Sequence, residues 1–138
     1  MLDTTQKFKA MKNQSTTSLL KLYKIDSTKN TIEEAQAPTG DGGDFLNFVT
    51  DHIGCEWITS VRISENDVIY LDDAGLLREG YQGAFEVDGY PQPLVGNAIV
   101  IGYNNFGESV DVHISLDDLK KKITFGLMML DTPNESKN

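Results

Sequence analysis

Basic charge is almost missing from the middle of this chain. Between Lys29 and Lys120 stand seventeen acidic residues and two basic ones, Arg62 and Arg78, a formal charge of −15 over residues 30–119. The lysines lie outside that window, at Lys7, Lys9, Lys12, Lys21, Lys24 and Lys29 before it and Lys120, Lys121, Lys122 and Lys137 after it. Binding a duplex through its phosphates needs clustered Lys and Arg, so direct nucleic-acid binding is not expected. An acidic body with basic flanks bears on partners and solubility, not on fold.

Cysteine is nearly absent too. Cys55 stands alone, so no internal disulfide can form. No run of about 18 apolar residues exists, which argues against a membrane helix. The opening MLDTTQKFKAMKNQSTTSLL has no apolar stretch of the kind a secretory signal needs, and an intracellular protein is the simplest expectation. At 138 residues the length suits one domain.

The pattern along the chain implies a loose arm over 1–17, a domain over 18–130 and a loose tail over 131–138. Leu19–Ile25 mixes Lys with Leu, Tyr and Ile and suits an edge strand. Residues 26–43, with Pro38 and Thr39-Gly40-Asp41-Gly42-Gly43, have loop chemistry. Asp44 caps a short helix over 45–53, where Phe45, Phe48, Val49 and Ile53 recur at helical spacing and Gly54 ends it. Strands follow at Glu56–Ser64, with Trp57, Thr59, Val61 and Ile63 on one face, and at Val68–Leu71. Ala98–Tyr103 is apolar without alternation, the mark of a central strand buried on both faces. Asn104–Gly107 reads as a hairpin loop and Ser109–Ile114 as its return strand. Ser115 then caps a helix over Leu116–Ile123, its acids first and its lysines last. Phe125, Leu127, Met128, Met129 and Leu130 extend that helix, add a strand or pack on a partner. The class implied is α+β: one domain with a mainly antiparallel sheet of about five strands and two helices. Trp57, Val61, Ile99 and Ile101 are its expected core.

Motifs for catalysis and metal are weak. His52 and Cys55 are three apart, but a structural zinc site needs four ligands and only His113 remains. Asp111, His113 and Ser115 alternate on one strand face, about 6.5–7 Å apart along it, too far for a triad. The loop Thr39–Asp44 opens a helix as anion-cradling loops do, yet lacks Lys and carries Asp41 and Asp44. No catalytic residue, metal ligand or cofactor is therefore assigned. Two binding sets stand out. Arg62 and Arg78, with Tyr81, Tyr90 and Tyr103, would suit a small phosphate-bearing ligand such as a nucleotide signal; the plainer reading pairs the arginines with acids such as Glu79. The turn acids Asp72, Asp73, Glu86 and Asp88 would suit a basic protein partner, and the acid count also permits an acidic DNA mimic.

The segments Gly54–Ile63 (GCEWITSVRI), Ile69–Leu77 (IYLDDAGLL) and Leu94–Gly102 (LVGNAIVIG), in that order after an opening strand and before a late helix, resemble the short phage and plasmid proteins grouped as domain of unknown function thirty-eight forty-six. The likeness spans roughly residues 18–123, and the chain departs from it at Arg78–Pro93, which is longer and more aromatic. It implies a phage or mobile-element setting and assigns no catalytic residues. The expectation is a non-enzymatic accessory protein in the cytoplasm of a bacterial host. It would bind a host protein to blunt a defence system, with a homodimer built through Phe125 and Leu127–Leu130. The alternatives are sequestration of a nucleotide signal and DNA mimicry.

Overall fold

The computed structural model describes residues 19–39, 44–75 and 80–130, with no account of the Leu130 side chain. The loose arm, the loose tail, Gly40–Gly43 and Arg78 lie outside the described residues. The elements run β1 (Leu19–Asp26), β2 (Thr31–Pro38), α1 (Asp44–Ile53), β3 (Ile58–Arg62), β4 (Asp67–Asp72), β5 (Gly80–Val87), β6 (Leu94–Val95), β7 (Ala98–Tyr103), β8 (Ser109–Val110), α2 (Leu116–Lys122) and β9 (Ile123–Leu130). The main sheet has the order β2-β1-β7-β4-β3, with β8 pairing on β7, and a second sheet has the order β6-β5-β9. Every pairing among them is antiparallel. The α+β class is therefore as the sequence implies, with a second sheet it did not reveal.

Because a strand alternates its side chains, the main sheet has two apolar faces. Leu22, Ile99 and Ile101 pack on one face against Val49 and Ile53 of α1. Tyr23, Ile25, Ile69, Leu71 and Val100 pack on the other against Phe85, Val87 and Leu94 of the second sheet and Leu119 of α2. The result is three layers: α1, the main sheet, then the second sheet with α2. Strand β7 is covered on both sides, and Ala98, Ile99, Val100 and Ile101 are all fully buried.

Both helices form where capping and periodicity place them. In α1 the apolar stripe faces the sheet, and Gly54 stops the helix at φ +80° while its N–H donates to the Thr50 carbonyl at 2.7 Å. In α2 the Ser115 hydroxyl accepts from the Asp118 N–H at 3.1 Å. The chain leaves α2 directly into β9, so the apolar run 123–130 is a strand.

Several expectations need correction. Leu19–Ile25 is not an edge: β2 lies outside it, and Tyr23 is buried. Of its two lysines, Lys24 is tolerated because its ammonium rises over the Phe48 ring, 5.5 Å from the centroid, while the stem covers apolar surface. The expected loop 26–43 holds β2, joined to β1 by a turn in which the Asp26 carboxylate accepts from the N–H groups of Thr28 and Lys29. The third strand covers only Ile58–Arg62, and Trp57 is 76% exposed rather than buried. Pairing across β3–β4 begins at Ile58↔Asp72, so Trp57 sits past the ladder. Val61, on an outermost strand, is only half-buried.

The return strand is also shorter than expected, ending at Val110. Residues 111–114 follow a path held by carboxylates instead of a ladder. Asp67 is 2% exposed, and its two oxygens accept from the N–H groups of His113 at 2.8 Å and Ile114 at 2.9 Å. Asp111 accepts from the Lys21 N–H at 2.8 Å, and the Tyr23 hydroxyl donates to the Ile114 carbonyl at 2.7 Å. This crossing passes so close to β7 that a Cβ on Gly102 would run into the Asp111 carbonyl oxygen, which fixes glycine there.

A candidate acidic docking cleft

Where β4 ends, the chain turns through Asp72-Asp73-Ala74-Gly75. The Asp72 carboxylate accepts from the Ala74 N–H at 2.9 Å, an Asx-type turn that favours Asp at this position. The Asp73 N–H donates to the Trp57 carbonyl at 3.0 Å, fixing the approach to β3 beside the acidic turn. Across from it, the segment Tyr90–Pro93 leads into β6. Between the two lies a cleft of about 220 Å³ whose walls include Thr59, Ser60, Asp72, Asp73, Tyr90 and Pro93. The cleft is thus walled by Asp72, Asp73 and Tyr90 beside the exposed strand residues Thr59 and Ser60, and Trp57, one residue past the β3–β4 ladder, is joined to Asp73 through its backbone carbonyl.

The four turn acids do not form one cluster. Asp72 and Asp73 line the cleft. Glu86 is exposed on β5 and borders a separate hollow of about 150 Å³, which also has Pro93 in its wall. The Asp88 N–H donates to the Lys122 carbonyl at 2.9 Å, which places this acid by the end of α2. Asp72 and Asp73 therefore share one turn at the end of β4, while Glu86 lies within β5 and Asp88 in the turn that follows it.

The ligand set divides in the same way. Arg62 stacks on Tyr103, its guanidinium carbon 4.9 Å from the ring centroid, so this arginine meets an aromatic face where pairing with acids was the plainer expectation. The Tyr103 hydroxyl is buried without a hydrogen-bond partner. Asn66, Asn104 and Asn105 join them around an open hollow. Tyr90 packs against the core and lines the acidic cleft, and Tyr81 is exposed on β5. Arg78 lies outside the described residues.

His52, His113, Asp111 and Ser115 each make a contact with a backbone group. The His52 ring meets the Ile25 carbonyl at 3.1 Å, and burial pushes its pKa below the ordinary value. His113 Nδ1 lies 3.1 Å from the Asn66 carbonyl and 3.2 Å from Asp67, two acceptors that together require the proton on that nitrogen. Asp111 holds the start of β1 and Ser115 caps a helix, so neither is set against His113 as a triad would need. Among the described residues no group of three metal-ligating side chains occurs. No helix among them is long and apolar enough to cross a membrane.

Sequence reasoning missed Trp57 as a surface residue. Alternation places it on the face of Val61, and only the end of the β3–β4 ladder shows that it escapes cover. Comparison with protein-family models finds no match, and comparison with curated proteins and with solved structures finds none either.

Proposed function

We propose that this chain is a non-enzymatic binding protein whose acidic cleft, with Trp57 beside it, receives a basic segment of a protein partner. The carrying observation is Trp57, a large apolar side chain left 76% exposed and hydrogen-bonded through its carbonyl to the acidic turn. Tryptophan is enriched at binding hot spots. The −15 balance of residues 30–119 supplies long-range attraction for a cationic partner. The resemblance of Gly54–Ile63 and its companion segments to phage and plasmid proteins supports a setting in a bacterial host's cytoplasm, with a host defence protein as the target.

The test is capture from host lysate by the wild-type chain, by Trp57→Ala and by Asp72→Asn/Asp73→Asn, each checked for an unchanged melt. The expected result is a basic protein retained by the wild type and lost from both variants. Identical proteins retained by all three would remove the cleft from the account.

A second reading rests on the Arg62–Tyr103 stack beside an open hollow, which suits an anionic ligand with a planar group such as a nucleotide. Nucleotides and cyclic dinucleotides at 100 times their dissociation constant would stabilise the fold by about 2.7 kcal/mol. Arg62→Ala would abolish that shift, and the absence of any shift in the wild type would discard the reading.

A further inference from the structure

The sheets end in strands that differ in how well they are guarded. An exposed strand edge offers unpaired N–H and C=O groups, and monomeric proteins blunt it with charge, proline or shortness. Strand β2 carries Glu33, Glu34 and Pro38, β3 is five residues long and bears Arg62, and β6 has two residues. Strand β9, at the end of the second sheet, has eight residues, ITFGLMML, with neither charge nor proline. Near its start, Ile123 and Phe125 share a hollow with Asn30–Glu33. Beyond Phe125 the ribbon of β5 and β9 leaves Leu127 77% exposed, Met129 55% and Tyr81 73%. The register Tyr81↔Met129 and Gly83↔Leu127 puts these three on one face.

We infer that β9 is a dimer edge, pairing antiparallel with β9 of a second copy of this chain through residues 126–130. Two features select a second copy. Antiparallel pairing of a strand with itself is two-fold symmetric, so one uncharged edge is its own complement. A chain of net charge −9 can approach itself closely only where charge is absent, and β9 is the long strand edge that meets that condition. Opposed residues share a face, so Tyr81, Leu127 and Met129 of the two copies form one continuous apolar surface, and the two three-stranded sheets become one of twice the width.

Sedimentation velocity on the full chain at physiological salt, from low to high micromolar concentration, tests this together with a cysteine placed at Met128, near the symmetry axis, in a Cys55→Ser background. The expected mass is twice the 15.3 kDa of one chain. Leu127→Lys/Met129→Lys, which sets like charges across the new ladder, should return it to the monomer with an unchanged melt. The cysteine variant should form an interchain disulfide under mild oxidation. A wild-type chain monomeric throughout would overturn the inference, as would a dimer that fails to crosslink at position 128. The crosslink decides the matter even where the double lysine variant does not fold.

Discussion

Asp67 shows how one side chain can replace a strand. Its carboxylate is buried in the main sheet and holds two backbone N–H groups that no ladder reaches. Removing it leaves two inward donors unpaired, at about 1–2 kcal/mol each. Asp67→Ala should therefore lose about 2–4 kcal/mol in urea denaturation, and a loss under about 0.5 kcal/mol would mean that water takes over without cost. His52 makes a pH-dependent contribution. Burial lowers its pKa, against the Ile25 carbonyl that favours the proton. The unfolded chain takes up a proton near pH 6.5 that the folded chain refuses, so stability falls as pH drops through about 6.5 toward the lowered folded value. His52→Gln should flatten the melt-against-pH curve below about pH 6.5; an unaltered slope would place the acid sensitivity in the carboxylates alone.

At the scale of elements, legibility follows the number of covered faces. Strand β7 was readable because cover on both sides demands an unbroken apolar run. Ile101→Ala should cost about 2–5 kcal/mol, read from a cooperative melt, and an unmoved melt would contradict the central placement of β7. The helices were readable because Ser115, Asp44 and Gly54 mark ends that backbone chemistry requires. Strand β2 was hidden because only Ile32 and Ala37 along it are buried, and its Glu, Gln and Pro read as loop. Strand β5 was hidden because its core-facing residues are confined to one half, with Phe85 and Val87 inside and Tyr81 outside. The same half-cover made β9 ambiguous. The acids of the candidate cleft were legible as turn residues. Their separation into distinct sites was not, since it depends on Tyr90–Pro93 crossing between Asp72–Asp73 and Glu86.

For the whole molecule, the layers explain where interaction is left to occur. The central strands of the main sheet are covered on both faces, and the proposed contacts lie at sheet ends and edges. At one end the acidic turn and Trp57 face outward, and at another the β5–β9 ribbon carries its apolar face past the body. The most direct test of the acidic cleft is the association rate of the captured partner at about 50 and 300 mM salt, where the Debye length falls from about 14 to 6 Å. The expected result is a rate that drops about tenfold or more with salt and is slowed at low salt by Asp72→Asn/Asp73→Asn, while dissociation changes far less. An association rate indifferent to both salt and these substitutions would contradict the claim that the acids recruit the partner.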